Sequence, residues 1–350
     1  MNVGIEVTRR CNFRCAHCFV DAGLPRRQEL STPEWLKVLG GLAQAGVENI
    51  GWSGGEPLLH KGLDALTAKA SDLGMASGLA TNGFLASLER LRQLEARGLS
   101  VLQVSLDGPD PARAARFRQG PKAAFDRAVR AVRAGIEVGL KTYICALLTP
   151  ETAAEVEEMI ALATELGADG LRYTMFAPVG RAHGQAYDEH AWSSKAVRRF
   201  LEIVAHGQTR AGLSLLVDCP TGPLPFAPRI DCGAGSCTAY VTADGEVYPC
   251  TALIFPSYRV GNIRATPVKT LLASPAMLKA KRQRARLRPQ GTCKGCALTN
   301  DCRGGCPGRT VAAFGRLSAK VKGGAMPVCL LRLHAPPEGR GPARRRRASR

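Results

Sequence analysis

The sequence predicts an α/β fold, a partial (β/α)6 TIM-like barrel followed by a small cysteine-rich domain. Between residue 3 and about residue 175, short apolar runs alternate with amphipathic stretches at a spacing of roughly thirty residues, the length of a βα unit. From about residue 215 the chain becomes rich in Gly, Pro and Cys. A complete eightfold barrel needs about 250 residues, so six units predict only part of one.

The six predicted strands are "VGIEV", "ENIGWS", "ASGLAT", "SVLQVSL", "GLKTYICALL" and "GLRYTMF". Helical patterns separate them. One is "TPEWLKVLGGLAQAG", in which Thr32 is the expected N-cap and Pro33 the first helical residue. Another is "TPETAAEVEEMIALATELGA", which also opens with Thr and Pro.

Three segments follow from these patterns: the barrel over 1–212, the cysteine-rich domain over 213–334, and a basic, disordered tail over 335–350. In the second segment, "CTAYVTADGEVYPC" predicts two short strands that turn on Asp244-Gly245. A small domain with a modest apolar core depends on bound metal for its stability.

The composition of the chain also limits the class of protein and its compartment. The mean hydropathy is −0.07 and no run of eighteen apolar residues occurs, which excludes a transmembrane helix. Because the N-terminus lacks the features of a signal peptide, we expect a cytoplasmic protein. Thiols stay reduced in that compartment, so thirteen cysteines in two groups favour metal binding over disulfides.

The net charge is +19, and part of it lies in "LKAKRQRARLRPQ" and in the C-terminal tail. A solvated face is the simpler interpretation, and attraction to an acidic peptide or an RNA is the alternative. Few aromatic residues interleave with these charges for base stacking, so a nucleic acid is an unlikely partner.

The segment "CNFRCAHC" places Cys11, Cys15 and Cys18 directly after the first predicted strand. Three thiolates can hold three corners of an iron–sulfur cubane and leave the fourth iron open to another ligand, or they can hold zinc with an outside ligand. Polar groups also follow later strands, at the edge where a barrel enzyme places its active site. These are "WSGGEP" after the second strand, "LATNG" at the third and "SLDGPD" at the fourth.

A Cx3Cx2C loop after the first strand, together with GGE after the second, strongly resembles the radical S-adenosylmethionine (SAM) enzymes. The resemblance implies that the three cysteines bind a 4Fe–4S cluster and that SAM is the missing fourth ligand. It further implies that a reduced cluster cleaves SAM to a 5′-deoxyadenosyl radical, which abstracts hydrogen from a substrate. The cofactor contacts that it implies are Gly54, Gly55 and Glu56 to the methionyl ammonium, Ser105 and Asp107 near the ribose, Thr81 and Asn82 at the same rim, and His17 against the cluster or adenine.

The second group of thiols comprises Cys232, Cys237, Cys250, Cys293, Cys296, Cys302, Cys306 and Cys329. Eight thiols divide into two four-cysteine sites, for which zinc is the structural alternative. The order of the motifs resembles the SPASM domain, which implies two auxiliary 4Fe–4S clusters and three clusters in all. By that resemblance, Cys306 completes the first site with Cys232, Cys237 and Cys250, and the other four form the second. Of the remaining cysteines, Cys145 is expected in the core, and Cys219 is a candidate for a position near the active site.

The resemblance favours a ribosomally made precursor peptide as substrate, with crosslinking, oxidation or decarboxylation as the reaction. A tetrapyrrole propionate decarboxylase is the rival within the class, and a zinc or iron–sulfur protein without radical catalysis is the rival outside it. Thr251 stands where sulfatase-maturating relatives carry an acidic base, which lowers that option.

The chain begins at the first predicted strand, so we expect any leader-recognition module to be a separate protein. A flavodoxin or ferredoxin is the expected reductant. Candidate catalytic residues are Asp107, Tyr173 and Arg181, the last as a carboxylate-binding residue in "FAPVGRA". A surface arginine after a turn is the alternative interpretation of Arg181.

Overall fold

The computed structural model describes residues 1–25, 28–183, 195–204, 212–217, 232–287, 305–315 and 317, without the side chains of Val197, Ala313 and Phe314. The described strands are Asn2–Thr8 (β1), Asn49–Gly54 (β2), Ala76–Thr81 (β3), Leu99–Ser105 (β4), Lys141–Leu148 (β5), Gly170–Met175 (β6), Ser214–Val217 (β7), Thr238–Val241 (β8), Glu246–Tyr248 (β9) and Gly261–Asn262 (β10). The described α-helices are Thr32–Gln44 (α1), Leu63–Asp72 (α2), Leu88–Glu95 (α3), Pro111–Ala114 (α4), Ala124–Glu137 (α5), Pro150–Ala154 (α6), Val156–Glu165 (α7), Lys195–Val204 (α8), Val268–Ala273 (α9), Lys279–Ala285 (α10) and Pro307–Phe314 (α11).

All six predicted strands form, and they pair in parallel in chain order. The sheet extends beyond them at both ends, because β7 pairs in parallel with β6 and β8 pairs in parallel with β1. Antiparallel β9 and β10 complete one edge. The cysteine-rich segment therefore shares the sheet of the barrel, and the proposed boundary at residue 212 falls just before β7.

The two faces of the sheet differ in chemistry. Neighbours in register share a face, and the row Ile5, Trp52 and Leu79 is at most 1 % exposed. This face packs its apolar side chains against the helices and forms the main core. The opposite, inner face carries the register row Ser105, Cys145, Arg172 and is polar. A polar inner face is available for substrate chemistry.

Helix boundaries follow local capping. The N-cap of α1 is Ser31, one residue before the expected Thr32, because Ser31 and Glu34 form a reciprocal capping box. The predicted helix from Thr149 is divided at Glu155 into α6 and α7. No helix within the described residues is both long and apolar enough to cross a membrane.

The predicted hairpin is present as β8 and β9. Gly245 adopts φ +87°, which its lack of a Cβ permits, and its N–H donates to Thr242 O at 2.8 Å. A second, smaller core lies beside this hairpin. Its buried members are Cys232, Ala234, Leu253, Tyr258, Ala280, Val311 and Leu317.

Removing the Ser31 hydroxyl should loosen the first turn of α1. Ser31→Ala is expected to cost about 1 kcal/mol locally, because the Glu34 N–H loses its acceptor, whereas Ser31→Gly should cost only about a few tenths. Hydrogen–deuterium exchange of the first-turn amides should therefore accelerate about fivefold in the alanine variant and much less in the glycine variant. Equal exchange in both variants would contradict the capping role.

Candidate active site

The three N-terminal cysteines lie on an irregular loop that leaves β1 at the carboxyl edge of the sheet. The loop is bonded at both ends to other backbone. Cys11 N donates to Gly23 O at 3.1 Å, while the N–H groups of Arg14 and Ala16 donate to the carbonyls of Gln119 and Phe117 at 2.9 and 3.0 Å. These bonds satisfy backbone groups that a loop otherwise leaves unpaired.

The thiols of this loop have donors of their own. Phe13 N lies 3.4 Å from Cys11 Sγ, and Ala22 N lies 3.2 Å from Cys18 Sγ. An N–H that points at sulfur favours the thiolate. Burial nevertheless raises the pKa of Cys11 to about 11 and also raises the pKa of Cys15. Metal binding must therefore displace protons from these thiols.

The two glycines of the GGE segment fit against the start of this loop. Gly55 N donates to Thr8 O at 2.9 Å and Glu56 N donates to Arg10 O at 2.8 Å. A Cβ on Gly54 would overlap Thr8 O, and one on Gly55 would overlap Arg10 O. The sequence analysis assigned these glycines to close approach of a ligand, and the structure adds a close approach of backbone to the cysteine loop.

The Glu56 carboxylate is fully buried and accepts three hydrogen bonds. The donors are Leu58 N at 3.1 Å, Thr81 Oγ1 at 2.8 Å and Asn82 N at 2.9 Å. Burial raises its pKa above the usual value, although the three donors work against that effect. Glu56 thus ties the end of β2 to the end of β3.

A cavity of about 230 Å³ lies at the carboxyl ends of β3 and β4. Two predicted residues, Asn82 and Ser105, line it together with Phe13 and Arg118. Asn82 also reaches the cysteine loop, because its Nδ2 donates to Asn12 Oδ1 at 2.8 Å. The cavity is therefore linked to the cysteine loop through Asn82, and it combines a mostly apolar lining with a few polar side chains.

Asp107 does not present a free carboxylate to this cavity. It is fully buried, its Oδ2 lies 2.6 Å from Arg118 Nε, and its Oδ1 accepts from Leu147 N at 2.7 Å. Burial disfavours the charged form, but the Arg118 guanidinium holds the pKa of Asp107 below its usual value. An ionised carboxylate paired with a guanidinium is a poor general base, so this arrangement disfavours Asp107 as a base, and its place near the ribose stays a prediction.

His17 stands beside this ion pair and is neutral. Its Nε2 lies 3.8 Å from Asp107 Oδ2, but burial lowers the pKa of His17 to about 4. Near neutral pH the charge partner of Asp107 is therefore Arg118. His17 packs edge-on against Phe117 at 6.3 Å between ring centroids, as a packing role requires.

Tyr173 lies on the wrong face for catalysis. Its ring packs against Phe200 of α8 at 4.8 Å between centroids, and it is 0 % exposed. Because side chains alternate along a strand, Arg172 and Thr174 take the inner face instead. The structure places Tyr173 in the helix-facing core, a position that disfavours the predicted catalytic role.

Arg181 binds the cysteine loop rather than a substrate carboxylate. Its Nε donates to Asp21 Oδ1 at 2.9 Å, its Nη1 to Cys15 O at 2.8 Å and its Nη2 to Ala22 O. Its backbone N–H also donates to Cys18 O at 2.9 Å. With every guanidinium nitrogen engaged, Arg181 positions the loop in this structure, and its role in binding a substrate carboxylate stays a prediction.

Three members of the second cysteine group lie close together. Cys232 and Cys306 are buried, and the second core contains Cys232 with Cys250 packed against it. Burial raises the pKa of Cys306 to about 11, and the neighbouring Cys250 and Cys232 thiols add to this. Cys237, five residues after Cys232, is exposed. The predicted residues that lie outside the described part of the chain are Cys219, Cys293, Cys296, Cys302 and Cys329.

The residues of the first site fit a cluster with one open position. The loop offers three sulfur donors, and backbone N–H groups point at two of them. Asn12 Nδ2 and His17 Nδ1 are buried beside these thiols without a hydrogen-bond partner in the described part of the chain. Buried polar atoms of this kind are normally satisfied, so they fit a bound polar group.

The sequence analysis missed Arg118 and Asn12. Arg118 sits in the arginine-rich segment "ARAARFRQG", where nothing local separates it from surface arginines. The signal for it was indirect, because a buried Asp107 needs a cation. Asn12 lies inside the cysteine motif, where the thiols are the evident metal ligands and nothing distinguishes the amide.

Alanine at Gly55 should disrupt the first metal site. Its Cβ would displace Arg10 O and cost about 1–3 kcal/mol, moving the start of the cysteine loop. After anaerobic reconstitution, Gly55→Ala should lose about four irons, the content of one cubane. Gly40→Ala is the control, because a Cβ on Gly40 meets nothing within 4 Å. Full iron content in both variants would refute the constraint.

Replacing Arg181 with lysine should weaken the support of the same loop and make its cluster more labile in air. Arg181→Lys cannot reach Asp21, Cys15 O and Ala22 O at once, because an ammonium lacks the planar fork of a guanidinium. The absorbance of the cluster should bleach in air about tenfold faster than in the wild type, as expected for loss of about 1.4 kcal/mol of support. Arg133→Lys, at a surface pair with Glu165, is the control. Equal bleaching rates in Arg181→Lys and the wild type would show that Arg181 does not support the loop.

Comparison with known proteins agrees with this geometry. The model of the radical SAM superfamily matches residues 5–163, and that of SPASM, an iron–sulfur cluster-binding domain, matches residues 232–297. The chain is 30% identical over 326 residues to the PqqA peptide cyclase of Xanthomonas oryzae pv. oryzae (strain MAFF 311018), covering 90% of this chain and 85% of the relative.

A second relative and a solved structure also resemble this chain. An AdoMet-dependent heme synthase of Nitratidesulfovibrio vulgaris is 26% identical, over 87% of this chain and 86% of the relative. The structure of Streptococcus suis SuiB bound to precursor peptide SuiA superposes with a TM-score of 0.70 at 19% identity, over 89% of this chain and 72% of that chain. The latter shows likeness of fold. With the matched domains and the 30% identical relative, the chain belongs to the radical SAM superfamily and is an enzyme with a SPASM domain.

Proposed function

We propose that this enzyme modifies a ribosomally made precursor peptide. The observation that carries the proposal is its likeness, along nearly the whole chain, to a peptide cyclase. The fold it shares with SuiB, which was crystallised with a precursor peptide, supports the same class. The reaction is a crosslink, an oxidation or a decarboxylation of the peptide.

In this proposal Cys11, Cys15 and Cys18 hold a 4Fe–4S cluster, and the adjoining cavity holds SAM. Once bound there, the cluster and SAM would supply the radical chemistry that removes a hydrogen atom from the substrate. The chain's own groups would orient the cofactor: Asn82, Ser105 and Arg118 line the cavity, and Arg118 is also paired with Asp107. The Gly54–Glu56 turn positions the loop and the cofactor together.

The polar inner face of the sheet is where the substrate would lie. Arg172 Nη1 donates to Gln103 Oε1 at 3.1 Å, and Cys145 Sγ lies 3.5 Å from Thr174 Oγ1. Polar groups here can bind a peptide backbone, while the helix-facing side of the sheet excludes water. Cys145 is buried, as the sequence predicted, and its contact with Thr174 places it beside these polar groups.

The remaining thiols would hold the two auxiliary clusters. Cys232, Cys237, Cys250 and Cys306 are proposed for the first, and Cys293, Cys296, Cys302 and Cys329 for the second. A flavodoxin or ferredoxin would supply electrons, a separate protein would present the leader of the peptide, and the enzyme would work in the cytoplasm, where thiols stay reduced.

A tetrapyrrole substrate is the second candidate, because one relative is a heme synthase over a similar share of the chain. Membership in the radical SAM superfamily decides against a zinc or carrier protein without catalysis. Incubation with iron coproporphyrin, or with short peptides encoded beside the enzyme, followed by mass spectrometry separates the two substrate classes.

SAM cleavage tests the proposed function directly. Anaerobically reconstituted wild type with dithionite should form 5′-deoxyadenosine, and the Cys11→Ala, Cys15→Ala, Cys18→Ala triple variant should form none, because no thiolates remain to hold the first cluster. The variant should keep about eight of about twelve irons, which shows that its auxiliary sites still assemble. 5′-Deoxyadenosine formation by the triple variant would refute the assignment of these cysteines.

A further inference from the structure

The described part of the cysteine-rich segment has an uneven charge balance. Residues 232–287 contain eight Lys and Arg but only two acids, Asp244 and Glu246, and no acid follows Glu246 before residue 288. Both acids are engaged, since Asp244 accepts from Thr242 and Glu246 pairs with Arg259. Arg259 is thus paired within the segment, and the segment keeps a surplus of six basic residues over acids (eight minus two).

Much of this charge lies on α10. Lys279, Lys281, Arg282 and Arg286 are exposed. Lys279, Arg282 and Arg286 follow one another at spacings of three and four, so like charges share one stripe. Such neighbours weaken a helix by themselves, although cations near its C-terminus gain from the dipole. The stripe calls for an external partner of opposite charge.

The helix also lies against a proposed cluster site. Ala280 is fully buried in the second core together with Cys232. Lys281 Nζ lies 3.4 Å from Ser236 Oγ, and the next residue, Cys237, is exposed. One proposed ligand is therefore at the surface, directly beside the basic helix.

We infer that this α10 face, made of Lys279, Lys281, Arg282 and Arg286, is the docking surface for an acidic one-electron donor protein of the flavodoxin or ferredoxin type. The inference rests on the proposed function. A donor must approach a cluster closely, and the exposed thiol of Cys237 places one beside the complementary charge. Each transfer would oxidise the donor by one electron and reduce the auxiliary cluster by one, without making or breaking a bond.

Other acidic partners fit the location less well. An acidic peptide or an RNA would be drawn to the same charge but has no need of a neighbouring cluster. Tyr258, an aromatic ring beside the stripe, is buried and covered by Lys279 at 5.4 Å, so it offers no surface for base stacking.

The test compares charge reversal on this surface with charge reversal elsewhere. Reconstituted Lys281→Glu, Arg282→Glu, Arg286→Glu is compared with Arg92→Glu, Arg97→Glu, Arg133→Glu, which reverses three exposed arginines in and around α3 and α5. The probe is a purified acidic flavodoxin. The affinity of the wild type and of each variant for flavodoxin is measured by interferometry at two salt concentrations. Stopped-flow absorbance then follows the reduction of the clusters by flavodoxin.

The α10 variant should bind flavodoxin at least about tenfold more weakly than the wild type and lose most of the salt dependence, while the control stays within about twofold. Equal flavodoxin affinity in the α10 variant and the wild type would overturn the inference. Loss of binding to a poly-glutamate peptide or an RNA, with flavodoxin binding unchanged, would reassign the surface and also overturn it.

Dithionite separates this inference from the proposed function. A small reductant needs no docking surface, so the α10 variant should form 5′-deoxyadenosine with dithionite at the wild-type rate. Failure of the wild type with dithionite would count against the proposed function, whereas equal flavodoxin binding would count against the docking surface alone.

Discussion

The active site depends on the contact between the Gly54–Gly55 turn and the backbone that leaves β1. A loop has no internal ladder to fix three thiols in space, so its position must come from neighbours. Gly55 N and Glu56 N donate to the carbonyls of Thr8 and Arg10, and only glycine leaves room for these bonds. Arg181, in the turn that follows β6, holds the opposite side of the loop.

The rest of the site follows from that fixed loop. Glu56 continues the contact to the end of β3, and Asn82 returns from there to Asn12 in the loop. Asp107 and Arg118 form a buried ion pair beside the cavity at the end of β4. Buried charges are costly unless they are paired, so this pair both neutralises the wall and holds its shape.

The sequence predicted what depends on local pattern and spacing. All six barrel strands were predicted correctly because each apolar run is long enough for one buried strand. The cysteine motifs identified the family. The positions and contacts of the side chains of Asp107, Tyr173 and Arg181 were not predictable from the sequence. They depend on the face that a strand residue takes and on contacts such as Arg181 with Cys15, which are 166 positions apart. The grouping of Cys306 with Cys232 and Cys250 was implied by the family resemblance, and the fold brings these three thiols together.

The central claim is that the cysteine loop presents a cluster whose fourth position is completed by SAM. Low-temperature electron paramagnetic resonance of the reduced protein, recorded with and without SAM, tests it most directly. The account predicts that SAM shifts the g-values of one cluster signal, and that SAM labelled with ¹⁵N at its amino group produces a hyperfine coupling to that signal. A spectrum unchanged by SAM, in protein with full iron content, would contradict it.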